Sequence, residues 1–365
     1  MQMNAIKGRG SRVHLPGRFE VTTAEAVDDG WYLDESEEFA DPKLRTTVTE
    51  ETARTIITRN QSPDIPFSQS ANPYRGCEHG CSYCFARPSH AYLNLSPGLD
   101  FETRLFAKTN APDLLRRELA KPGYQPSPIA LGINTDAYQP IERRLGLTRR
   151  MIEVFWETRH PFTLITKNAL VVRDLDLLAP LARENLVSVH FSVTTLDPHL
   201  SARLEPRASA PHARLRAMRQ LDEAGVPVGA MMAPVIPWIN DAEMEAVFHA
   251  VAEHGARSAG YILLRLPHEV APLFRDWLQA HYPDRAAHVM STIQQLRGGK
   301  DYDSTFGKRL TGEGVYAELM ARRYALAHRR AGFEQRRHPA LDVSRFRRPE
   351  HVPAARSGSP QGQLF

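Results

Sequence analysis

Cysteine is scarce in this chain of 365 residues, and its three copies, Cys77, Cys81 and Cys84, all fall within eight positions. An odd number so crowded excludes the disulfide framework of a small secreted domain. Long apolar runs are missing too, so no segment reads as a bilayer span. The opening residues, MQMNAIKGRGSRVH, lack the apolar core of a secretory signal. The expectation is a cytoplasmic protein without a membrane partner. No internal repeat recurs at solenoid periods. A net charge of only +4 also excludes indiscriminate attraction to polyanions.

The apolar fraction of 42% and the charged fraction of 24% are those of a globular protein with a sizeable core. Residues 1–65 are polar, acid-rich in places and without sustained periodicity, and read as an N-terminal extension. From residue 128 apolar strand-like runs (128–135, 162–168, 186–195, 226–237, 260–267) alternate with amphipathic helical stretches (149–159, 172–184, 211–225, 241–255). Continuous apolar strands separated by helices predict an α/β fold with a parallel sheet. Functional groups then belong at the C-terminal ends of the strands. Residues 66–290 are assigned to this unit, 291–348 to a Gly-rich and then basic helical segment, and 349–365 to a flexible tail.

The cysteines admit two kinds of site. Structural zinc would need four ligands, which His79 could complete, although it lies inside the first cysteine interval. An iron–sulfur cluster is the other reading: three thiolates on four irons leave one iron open for a substrate or cofactor. Gly76 and Gly80 suit a tight loop that aims three sulfurs at one object.

The stretch CEHGCSYC, a C-x-x-x-C-x-aromatic-C spacing, resembles the signature of radical S-adenosylmethionine enzymes. The resemblance implies a partial (β/α)6 TIM-like barrel. It also implies a 4Fe-4S cluster on Cys77, Cys81 and Cys84, and S-adenosyl-L-methionine bound to the open iron. Read in order, NPYRGCEHGCSYCFAR, TDAYQPIE, LITKN and SVTTLD resemble the subgroup related to spore photoproduct lyase, a DNA-repair enzyme. By position the resemblance makes Tyr83, Asp136, Lys167 and Ser192 cofactor-binding residues. It also implies lyase-like chemistry and an external electron donor. One departure stands out. The chain has no fourth cysteine to return a hydrogen atom to a product radical.

Other strand-end groups allow two readings each. Thr135 sits beside Asp136, and Thr194 shares a strand face with Ser192. Arg203, Glu205 and Arg207 form either a site or a surface ion-pair cluster. Met231 and Met232 read as core. Arg265, alone in an apolar strand, must face a cavity, a partner or an anion. Residues 321–348 hold nine arginines against two acids, a balance of +7 that leaves −3 for the rest. That block is a candidate nucleic-acid contact. The last residues, Gln361–Phe365, resemble the short peptide by which bacterial repair proteins dock on the sliding clamp. The leading expectation is therefore a radical enzyme acting on nucleic acid in a repair-like reaction. Two alternatives stand beside it: a zinc-containing nucleic-acid-binding protein without activity, and a radical enzyme for a small molecule or a protein side chain.

Overall fold

A computed structural model describes residues 8–19, 45–335 and 340–350. Among the described residues ten strands form two sheets. In chain order they are β1 (Thr47–Glu51), β2 (Ile57–Arg59), β3 (Gln69–Ala71), β4 (Tyr74–Arg75), β5 (Arg104–Lys108), β6 (Ile129–Leu131), β7 (Phe162–Thr166), β8 (Val187–Ser192), β9 (Val228–Val235) and β10 (Ala256–Leu263). The larger sheet runs β10-β9-β8-β7-β6-β3-β2 and the smaller β1-β5-β4. Neighbours from β3 to β10 are all parallel, and β2 is antiparallel at the edge. Six parallel strands with covering helices make the α/β, partial TIM-like barrel that the sequence leads one to expect.

Side-chain alternation explains the layering. Phe162 and Leu164 of β7, Val187, Val189 and Phe191 of β8, and Val228, Ala230 and Met232 of β9 are buried in one core. The outer helices contribute Met151, Ile152 and Phe155, Leu178 and Leu181, Ala217, Met218 and Leu221, and Val247, Phe248 and Val251. The opposite face carries Thr163, Ile165, Ser188, His190 and Met231, which are only partly covered. Met232 is thus core, while Met231 is on the less covered face.

Three differences from the sequence reading have physical causes. The sixth parallel strand, β3, is only three residues long, too short to show a period. The segment read as an extension contains β1 and β2, and β2 belongs to the large sheet. The last strand spans Ala256–Leu263 instead of 260–267, so Arg265 follows the strand end. The helices Val270–His281 and Pro283–Gln295 build a second core with Cys81, Tyr83, Leu204 and Ile236. That core ties the cysteine loop to chain beyond residue 270.

The two edges of the large sheet, β2 and β10, are not paired with each other. A side-chain latch joins their neighbourhoods. Asp64, in the loop between β2 and β3, accepts from Arg309 at 2.6 and 2.8 Å. The same Gly-rich segment holds β10, where Leu263 N–H donates to the Leu310 carbonyl at 2.9 Å.

The N-terminal residues 8–19 lie on the cysteine loop. Glu102 accepts from the N–H groups of Gly10 and Ser11, both at 2.9 Å, and pairs with the buried Arg87 at 2.5 Å. Gly10 is so close to this loop that a Cβ there would fall 1.6 Å from the Gly80 carbonyl oxygen. At the other end of the barrel, residues 340–350 cover the chain entering the strands. Asp342 N–H donates to Asn185 O, just before β8, and Arg347 N–H to Thr158 O, before β7. Phe346 packs on Tyr124 and His160. The candidate clamp peptide Gln361–Phe365 and residues 336–339 of the arginine block lie outside the described residues.

Two stability predictions follow from these contacts. Glu102→Ala leaves the Arg87 guanidinium buried and unpaired, and should cost about 3–5 kcal/mol in urea unfolding. It should also speed proteolysis within residues 8–19. Burial holds His160 down to about 4, against the pull of the Pro161 carbonyl. The folded state therefore keeps it neutral where the unfolded chain, near 6.5, binds a proton. Stability is full above pH 6.5 and falls toward pH 4 by about 1.4 kcal/mol per pH unit. His160→Gln should shrink the difference in unfolding midpoint between neutral and mildly acidic buffer by that amount.

Candidate active site

The cysteine loop follows β4 at the C-terminal side of the parallel strands and is held by backbone bonds along its length. Cys77 N–H donates to Phe101 O at 2.9 Å, and Cys84 N–H to Cys81 O at 3.2 Å. Gly80 adopts a left-handed φ of 65°, and a Cβ there would meet the Glu102 carboxylate at 2.7 Å. That position admits glycine alone without strain.

Three neighbours clamp the loop. Arg87 donates to the carbonyls of Cys81, Pro97 and Gly98 at 2.9, 3.1 and 2.8 Å. Gln139 donates to Gly76 O at 3.1 Å and accepts from Glu78 N–H at 3.0 Å, so it grips both sides of Cys77. Ser82 N–H donates to Leu204 O at 3.0 Å, and the His79 carbonyl accepts from Arg207 N–H at 3.3 Å.

All three thiols are free, and Cys77 and Cys81 are buried. Burial, then Asp136 and the other two thiols, pushes Cys77 well up; burial likewise pushes Cys81 up to about 12. Left to themselves these are inert thiols, and bound metal would deprotonate them. No three His, Cys, Asp or Glu side chains among the described residues are grouped to hold one metal ion. His79 instead lies 3.3 Å from Asp136 and 3.5 Å from Asn168. This geometry does not fit the zinc reading with His79 as fourth ligand. A cluster makes a different demand, because it takes each thiolate on a different iron and needs no convergence on one ion.

Asp136 and Thr135 do come to this loop, but with their polar atoms in use. The Asp136 carboxylate accepts from Tyr138 N–H, Thr166 Oγ1 and Lys167 N–H at 2.8, 2.8 and 2.7 Å. Burial alone would raise its pKa, but His79, the Lys167 N–H and Thr166 bring it down to about 2. Thr135 donates to the Tyr74 carbonyl. These two residues shape the strand end.

Lys167 differs. Its ammonium makes no hydrogen bond or ion pair among the described residues, and it lies 5.9 Å from the Tyr83 ring. Burial would lower it, but Cys81 and Glu205 outweigh burial and raise it. The Ser192 hydroxyl is likewise without a partner among the described residues, while the Ser192 carbonyl accepts from Arg214 at 2.8 Å. A cation and a hydroxyl left uncommitted beside the thiols suit a ligand carrying a carboxylate.

Glu205, read from sequence as one of an ion-pair cluster, organises this corner. It is buried and accepts from Tyr83, Arg214 and, at 2.6 Å, Thr194. Burial would raise it, but Arg214, Lys167 and the two hydroxyls bring it down to about 2. Tyr83 is pushed well up by burial and by Glu205, so its phenol stays protonated. Arg203 is on the surface near Tyr282, and Arg207 pairs with Glu78 at 3.3 Å. Arg87, Glu102, Gln139 and Arg214 escape sequence reasoning, because a buried clamp and a surface charge are written with the same letters.

Among the described residues, the arginine block is not brought to the cysteines. Helix Val315–Arg330 packs on helix Met244–Glu253, where Arg323 pairs with Glu245 at 2.5 Å. Arg345, Arg347 and Arg348 lie with residues 340–350, at the ends of the strands opposite the cysteine loop.

Comparison with known proteins agrees with this geometry. Residues 71–251, just under half of the chain, match the family model of the radical SAM superfamily. The cofactors of the superfamily are a 4Fe-4S cluster and S-adenosylmethionine. An uncharacterised protein of Mycobacterium tuberculosis is 37% identical over 60% of this chain and 65% of its own length. The chain thus spans just under two thirds of that relative. An uncharacterised protein of Methanocaldococcus jannaschii is 27% identical over 58% of this chain and 76% of its own. Among solved structures, spore photoproduct lyase complexed with dinucleoside spore photoproduct aligns over 80% of this chain and 81% of that chain. Its TM-score is 0.58 at 17% identity, a likeness of fold.

Replacing Glu205 tests the electrostatic frame. Glu205→Ala leaves Arg214 and Lys167 as buried cations without their anion, and should cost about 3–5 kcal/mol in chemical denaturation. Thr194→Val, which removes one neutral donor, should cost about 1 kcal/mol.

Proposed function

We propose that Cys77, Cys81 and Cys84 hold a 4Fe-4S cluster and that the enzyme acts on nucleic acid in a repair-like reaction. The observation that carries the cofactor assignment is the uncommitted Lys167 ammonium beside the clamped cysteine loop. When bound and reduced by an external electron donor, the cluster supplies the electron that cleaves S-adenosylmethionine to a 5′-deoxyadenosyl radical. The protein's part is binding, orientation and exclusion of water. Lys167 receives the cofactor carboxylate, and Ser192 donates to it or to the ribose. Tyr83, fixed by Glu205 and Thr194, walls the adenine side. Asp136 acts through others: it anchors the Lys167 backbone and the His79 ring.

The substrate class is supported by the fold shared with a lyase whose structure holds a dinucleoside photoproduct. In this reading the arginines of 321–348 add salt-dependent affinity from the barrel's flank and base. Placement at the radical falls to residues of the mouth. The hydrogen atom that a lyase returns to its product has no cysteine source here. The phenols of Tyr74, Tyr83 and Tyr138 are each donated to a buried carboxylate, Glu142, Glu205 and Asp174.

The deciding assay uses protein purified without oxygen and reconstituted with iron and sulfide. With dithionite and S-adenosylmethionine, wild type should form 5′-deoxyadenosine and Cys81→Ala should form none. Colourless protein binding one zinc, with no 5′-deoxyadenosine, would sink the assignment.

A further inference from the structure

Three arginines meet where the chain leaves β10, and two of them already hold protein partners. Arg297 donates to Leu264 O and Lys308 O at 3.0 and 2.6 Å. Arg309 is held by Asp64 and lies over the Phe306 ring, 4.8 Å from its centre. Arg265 has neither a hydrogen bond nor an ion pair among the described residues. Its guanidinium rests 4.6 Å from the centre of the Phe85 ring.

A cation–π contact uses the face of the guanidinium and leaves its in-plane N–H donors uncommitted. Arg265 is partly buried, its nearest cations Arg309 and Arg297 repel it, and Asp64 is already occupied. A guanidinium kept in such surroundings without a carboxylate is costly unless an anion arrives. Phe85 adds the second half of the argument. It directly follows the cluster cysteine Cys84, yet 42% of its surface is exposed. Phe306, exposed by 53%, stands beside Arg309 in the same neighbourhood. Exposed aromatic rings interleaved with arginine are the pattern that stacks bases and holds phosphates.

We propose that Arg265 and Phe85 form a receptor for one nucleotide unit at the barrel mouth, the phosphate on Arg265 and the base on Phe85. The proposal rests on the nucleic-acid reading above. A unit within a strand and a free nucleotide offer the same chemistry. Lys167, beside Cys81 and Tyr83, serves the cofactor, whereas Arg265, near Cys84, serves the substrate.

The probe is a 5′-fluorescein single-stranded dodecathymidylate, its binding to the reconstituted full chain followed by anisotropy between about 50 and about 200 mM salt. Arg265→Gln should bind about tenfold more weakly, and the slope of log K against log salt should shrink by about 0.7. Arg265→Lys, which keeps the charge, should retain the slope. Phe85→Ala should lose about fivefold or more in affinity with the slope unchanged. Displacement of the probe by thymidine 5′-monophosphate from wild type, lost in Arg265→Gln, would support a free nucleotide as ligand. Resistance to that competitor, with the slope change intact, would support a strand. Wild-type affinity and slope in both Arg265→Gln and Phe85→Ala, with unchanged circular dichroism, would overturn the receptor. 5′-Deoxyadenosine formation separates this from the parent reading. Wild type that forms it but binds neither probe refutes the receptor alone, and wild type that forms none refutes the enzyme assignment.

Discussion

The buried pair of Arg87 with Glu102 holds the cysteine loop in place. One guanidinium closes on three carbonyls of the loop region, and its carboxylate partner reaches across to residues near the N-terminus. Such a pair gains little over an apolar contact of equal volume. What it gives is placement: loop backbone otherwise free to move is fixed by donors with few geometries. Gln139 does the same from the end of β6, with neutral groups. Three thiols that hold one cluster, as proposed above, would need this kind of frame.

Around that frame the charges are arranged in layers. Glu205 and Asp136 are anions made permanent by their donors, and each stabilises a group that would otherwise be unsettled by burial. Lys167 is the outcome: a partly buried cation kept charged by its neighbours yet bound to none of them among the described residues. The committed groups make the uncommitted ones legible. In a site where nearly every polar atom has a partner, the exceptions mark where a ligand belongs.

Much of the barrel was readable from the sequence, because β7, β8 and β9 are long, apolar and separated by amphipathic helices with clear periods. β3 and β6 are three residues each, and their parallel pairing is a tertiary fact that no local pattern records. The cysteines stand out in the sequence because all three fall within eight positions; their role as cluster ligands is the proposal made above. Lys167 and Ser192 were singled out by position along a resembling motif, and neither the Lys167 ammonium nor the Ser192 hydroxyl has a hydrogen-bond partner among the described residues. Asp136 was singled out by the same route, and Thr135 and Thr194 by their place at strand ends, yet their polar atoms are in use within the fold. Nothing local distinguishes a hydroxyl kept free from one bonded to a neighbouring carboxylate. Arg265 was singled out for the right reason, an unpaired cation in an apolar setting, although the strand ends before it.

The latch between Asp64 and Arg309 spans 245 residues of sequence. During synthesis, at about 5–20 residues per second, Asp64 therefore waits on the order of 10–50 s for its partner to be made. Throughout that interval the cysteine loop and, progressively, all six parallel strands exist without the contact that joins the sheet's two edges. Assembly of this protein is thus ordered in time as well as in space. The chain offers its thiols early, from an unclosed sheet, and joins the edges only once Arg309 has been made.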